Sequence, residues 1–224
     1  MTTDFFIKRR WFALFTAFLF TMLFTLTAYV YTLTRAQFVW LGKSFYFLVS
    51  ADTHIQSATH EAQLNGGAGY LLTDGTCQYT AYSVYLTDDI AYAVQAGMQE
   101  ETLVVEKRAE YLTFRGKDKE KSRMYQGAFN ALYGCMDILT QTISRLENGE
   151  TQQNCKRILQ IIERQFDYMS STYQTQYPAF ASVCKSLSEG IGAIAGKVIF
   201  CKDLRYLLCV SCEEYLRLAS AFTL

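Results

Sequence analysis

The chain has 224 residues, 21 basic and 21 acidic side chains, half of its residues hydrophobic and 19% charged. That balance excludes a disordered chain, and a net charge of zero argues against a nucleic-acid partner. With one proline, Pro178, there is no stiff Pro-rich linker, so boundaries between units have to be read from changes of pattern.

Residues 1–10 read as a short cytoplasmic tail that ends in Lys8, Arg9 and Arg10. From Trp11 to Thr34 no residue is charged. As a helix these roughly 24 positions would span about 36 Å, enough for a hydrocarbon core of about 30 Å. The pattern predicts a single transmembrane helix over 11–34, with Trp11 at one interface and Tyr29, Tyr31 and Trp40 near the other. The basic residues before it place the N-terminus in the cytoplasm and the main body outside the cell membrane. A cleaved signal peptide fits less well, because the apolar run exceeds a usual signal core and no small-x-small cleavage site precedes Ala28.

Residues 42–116 read as a small α+β domain. "SFYFLVS", Ser44 to Ser50, is an aromatic and β-branched run with the look of a buried strand. A helix follows, capped by Asp52 or Thr53, with Ile55, Ala58, Ala62 and Leu64 near one face and Gly66-Gly67 as its stop. "AGYLLT" is the next strand, and Asp74-Gly75 is a hairpin signal leading into "CQYTAYSVYL". Thr87 or Asp88 caps a second helix from Asp89 to about Met98, and "ETLVVEKRAEYLTF" supplies the last strand from Thr102. Strand, helix, strand, strand, helix, strand folds as a split βαββαβ, ferredoxin-like unit. Its one antiparallel sheet has both helices on one face and the other face open.

Residues 117–224 read as an α-helical bundle. Phe129, Leu132, Met136, Leu139, Ile143 and Leu146 make one helical stripe, ended by Asn148-Gly149. A second stripe is Ile158, Ile161, Ile162, Gln165, Tyr168 and Met169. Pro178 opens a third helical region, broken near Gly190, Gly192 or Gly196 and resuming to about Leu218. Between Ile191 and Cys212 the charges of Lys197, Lys202, Asp203 and Arg205 rule out a second membrane span, since each costs about 2.5–3.5 kcal/mol at mid-bilayer.

"YFLVSADTHIQSATHEAQLNGGAGYLL" and "CQYTAYSVYLTDDIAYAVQAGM" resemble the two halves of a SPOR (sporulation-related repeat) domain, with Ala91 and Met98 near the repeat's alanine and leucine positions. The likeness covers about 70 residues and leaves out the helical half. Val49, Ala51 and Thr53 stand where many members carry Gln, Gly and an aromatic residue. The resemblance implies a protein that binds peptidoglycan glycan strands at division or sporulation septa of bacterial cells, presented outside the membrane. On an open sheet face Tyr46, Tyr79 and Tyr82 are the glycan-binding candidates, offering rings to sugar faces and hydroxyls to sugar hydroxyls. Tyrosine also favours strands for packing alone. The alternative reading is an envelope scaffold whose α+β domain, or whose C-terminal helices, bind a protein partner or a second copy.

No catalytic motif is visible, so no enzyme activity, cofactor or metal is expected. Gly66-Gly67-Ala68-Gly69 lacks the Lys-Ser/Thr of a phosphate loop. His54 and His60 are too far apart on one helix to share a metal. Asp88-Asp89 reads as a helix start rather than a carboxylate dyad. The cysteines are 77, 135, 155, 184, 201, 209 and 212, an odd number at mostly helical positions, which is no disulfide framework. Cys209-x-x-Cys212 lies on a helical face with Cys201 and reads as buried hydrophobe rather than redox pair.

Overall fold

The computed structural model describes residues 20–27, 37–39, 42–50, 55–75, 77–98, 101–109, 112–114 and 119–221. Its first helix, α1, is described over residues 20–27. The described stretch is about 12 Å long, short of a hydrocarbon core of about 30 Å. No helix among the described residues is long and apolar enough to cross a membrane. The transmembrane helix expected over 11–34 is therefore not supported: the run is apolar, but its described helical part is too short. The rest of it lies outside the described residues. Within α1 the hydroxyls of Thr25 and Thr27 donate to the carbonyls of Thr21 and Leu23, satisfying themselves inside the helix.

Two short strands frame the α+β unit. β1 (Gln37–Val39) pairs antiparallel with β6 (Leu112–Phe114) as a separate two-stranded sheet. Between them run β2 (Ser44–Ser50), α2 (Ile55–Leu64), β3 (Tyr70–Asp74), β4 (Cys77–Tyr85), α3 (Asp88–Gly97) and β5 (Thr102–Arg108). The strands form one antiparallel sheet in the order β3-β4-β2-β5, the order that a split βαββαβ gives. "ETLVVEKRAEYLTF" thus holds two strands, not one: β5 stays in the large sheet and β6 turns back to β1. The expected caps at Asp52 and Thr53 lie outside the described residues. Thr87 is the N-cap of α3 but its side chain makes no capping bond, and Asp88 instead accepts from the Asp89 N–H at 3.0 Å. Leu64, expected on the inner face of α2, is exposed; only Ala58 and Ala62 of that helix are buried.

Four helices follow: α4 (Lys119–Glu147), α5 (Gln152–Tyr173), α6 (Pro178–Ala195, with Pro178 in its first turn) and α7 (Cys201–Ser220). Gly149, at φ 87°, closes α4, and the break near the glycines falls at Gly196. The buried positions of α5 are Cys155, Leu159, Ile162, Phe166 and Met169. The stripe expected on that helix is therefore rotated: Ile161 and Tyr168 point outward.

Strand alternation explains how the layers stack. Phe45, Phe47 and Val49 face the helical half, while Leu48 packs with Ala62 and Tyr82 on the α2 side. The sheet face expected to be open is covered. Phe45 packs its ring against Tyr133 of α4 (centroids 6.4 Å apart) and Tyr215 of α7 (5.3 Å), and Phe129 meets Tyr215 edge-on at 5.0 Å. One continuous core runs from the sheet through α4 to α7. The reason is supply and demand of apolar surface: a sheet whose strands are apolar on both faces needs a second layer, and the amphipathic helices need one too.

All seven cysteines are free thiols in this structure. Burial pushes Cys135 and Cys184 up to about 12, and raises Cys209 and Cys212 as well. Cys212 donates its thiol to the Met136 sulfur at 3.7 Å. Because the thiolate is the reacting form, an aromatic disulfide reagent at pH 8 is expected to label exposed Cys77 fast and these four only on unfolding. Fast labelling of a second thiol among those four would contradict the packing described.

Candidate functional site

The three predicted tyrosines do not converge. Tyr79 is half-buried against the main core on the helical side of the sheet, opposite Leu72 of β3. Tyr46 is half-buried on the other face, paired with Tyr85 and Glu106. Tyr82 is buried on that same face, against Leu48 and Ala62. Tyr82 lines a cleft.

That cleft, of about 390 Å³, opens beside α2 and α3 over the sheet. Leu48, Tyr82 and Tyr85 come from the strands, Val94 and Met98 from α3 and its end, Asn65 and Gly67 from the turn after α2, and Arg205 from α7. The glycine turn shapes its wall. Gly66 takes φ 80°, which side-chain-bearing residues rarely adopt, and Gly67 sits so near Tyr82 that an added Cβ would come within 2.8 Å of the ring and 2.9 Å of the Ala62 carbonyl. The Ala68 N–H then donates to the Tyr82 carbonyl at 2.7 Å, tying the turn to β4 where the pairing with β2 is irregular.

Arg205 links this turn to the helical half. Its guanidinium donates to the Gly66 carbonyl and pairs with Glu147 at the end of α4. Tyr85 is raised above the ordinary tyrosine range, burial outweighing its Ser83 hydrogen bond and the nearby Arg205 charge. The tyrosine is thus a neutral hydroxyl at physiological pH. The cleft offers an apolar, aromatic floor with a few fixed donors and acceptors, the usual make-up of a small-ligand site.

A larger open cleft of about 720 Å³ lies at the seam of sheet and α7. Its centre is Glu213, which accepts from the Tyr70 hydroxyl at 2.6 Å and from the Lys107 ammonium at 3.3 Å; Lys107 also donates to the Thr73 carbonyl. Burial and Glu213 together raise Tyr70 far above its ordinary value. Nearby Arg217 pairs with Glu214 at 2.6 Å. These charges satisfy one another, so the group reads as a latch between layers. Among the described residues no group of three or more His, Cys, Asp or Glu is placed to hold a metal. His60 is exposed, and His54 lies outside the described residues.

Sequence reasoning missed Asn65, Ser83, Tyr85 and Arg205. Tyr85 carried no usable signal, because three positions from Tyr82 in a strand of period two it should face the other way, and only the irregular pairing near Tyr82 brings both to one face. Arg205 carried none, since only the folded chain brings it to a turn 139 residues away.

The molecule is thus a three-layer α+β protein, with α2 and α3 on one face of an antiparallel sheet and a four-helix layer on the other. No family model, no curated protein and no solved structure matches the chain.

Proposed function

We propose that the protein is a non-catalytic binding protein for peptidoglycan glycan strands, acting in sporulation or division of a bacterial cell, and that the strand lies in the cleft beside α2 and α3. The observation that carries the reading is the lining of that cleft: Tyr82 and Tyr85 beside Asn65, Ser83 and the Arg205 guanidinium. Sugar rings present apolar C–H faces and a rim of hydroxyls, and such a lining meets both demands. The SPOR resemblance supports the same ligand class, although the sheet face first expected to bind it is filled by α4 and α7. That filled face favours a second reading, an assembly protein that never touches glycan.

Co-sedimentation of the full chain with purified sacculi, native and stripped of stem peptides by an amidase, separates the two. Binding should rise on stripping. It should fall about tenfold or more, roughly 1.4 kcal/mol or above, in Tyr85→Ala and in Val94→Arg, which puts a long charged side chain at the cleft mouth. No binding to either sacculus by the folded protein would discard the glycan reading and leave the assembly one.

A further inference from the structure

Two helices carry outward apolar residues beside charges of opposite sign that form no ion pair among the described residues. On α5 the positions Arg157, Ile161, Arg164 and Tyr168 recur every three or four residues, so they share one stripe. Ile161 is 63% exposed and Tyr168 66%. On α3 only Ala91 is buried, while Ile90 (51% exposed) and Tyr92 (54%) flank an outer face with the small residues Ala93 and Ala96. That helix begins with Asp88 and Asp89. Neither the two arginines nor the two aspartates form an ion pair among the described residues.

We infer that α3 of one copy docks on α5 of a second copy of this chain. The charge signs decide the occupant. An α3–α3 contact would bring together four acids with no base, and an α5–α5 contact of these stripes four arginines with no acid, whereas α3 on α5 supplies acid to base and sets Ile90 and Tyr92 against Ile161 and Tyr168. The small residues of α3 let the facing helix come close. Because α3 lies on the far side of the sheet from α5, each copy keeps one donor and one acceptor surface. The contact is heterologous, and it propagates into a ring or an open filament.

The test is sedimentation velocity of the full chain over a range of concentrations at low and high salt. The wild type should grow beyond a dimer, more so at low salt. Arg157→Glu with Arg164→Glu, and separately Asp88→Lys with Asp89→Lys, should each weaken association about tenfold or more, and an equimolar mixture of the two double variants should restore it. Ile161→Ser, neutral in charge, should also weaken it. A chain that stays monomeric throughout, oligomers indifferent to the swaps, or a mixture that fails to recover would overturn the inference. Sacculus binding is read separately, so an oligomer that binds no glycan would leave this contact standing while the cleft reading fell.

Discussion

Phe45→Ala is expected to destabilise the protein by about 3–5 kcal/mol, the range for removing a large aromatic from a packed core. Phe45 is fully buried where β2, α4 and α7 meet, its ring lying against Tyr133 and Tyr215. Its loss would leave a void between rigid layers that cannot close without shifting a helix. The form of the transition matters as much as its midpoint. Since one core joins sheet and helices, chemical denaturation followed by far-ultraviolet circular dichroism and by tryptophan-independent tyrosine fluorescence should give coincident curves in wild type and variant. Two separated transitions in the wild type would mean that the halves fold independently.

Gly67→Ala should cost about 1–3 kcal/mol, the usual range for overpacking. The new methyl would meet the Tyr82 ring at 2.8 Å and the Ala62 backbone carbonyl at 2.9 Å. The ring can rotate only by giving up its packing on Leu48 and Ala62, and the carbonyl is held in place by accepting from the Gly67 N–H at 2.7 Å. Strain is therefore divided between the cleft floor and the end of α2. By thermal unfolding the variant should melt several degrees lower, and by co-sedimentation it should lose more glycan binding than Gly75→Ala. Gly75 sits in a hairpin with nothing within 4 Å of an added Cβ, though its φ of 58° adds a local backbone cost there too. Equal binding by the two variants would detach the glycine turn from the cleft's role.

Much of the α+β unit was legible because its signals are local. The run Ser44–Ser50 announces a strand, Asp74-Gly75 a hairpin, and the paired glycines a helix stop, each from residues within a few positions of one another. β1 and β6 were not legible, since three residues carry no period and their pairing joins positions far apart in the chain. The stripe on α5 was misplaced for a subtler reason: Ile158, Ile161 and Ile162 fit two neighbouring faces equally, and only the partner helices choose between them. The apolar run 11–34 has the composition of a span, yet no helix among the described residues is long and apolar enough to cross a membrane. Of the residues that line the cleft, Tyr82 was named from the sequence as a binding candidate and Gly67 only as part of a helix stop, while Arg205 reached the turn only through tertiary packing.

The clasp of β1 on β6 has a mechanical side. Gln37 stands opposite Phe114, and further in Ser44 stands opposite Arg108, so the two chain segments that lead out of the unit leave from the same end of antiparallel ladders. Tension drawn between those segments acts across the rungs one at a time, opening the three pairs of the clasp rather than shearing them at once. Past the clasp it meets β2, whose Phe45 is held against Tyr133 and Tyr215, so the load reaches the shared core only after the clasp is gone.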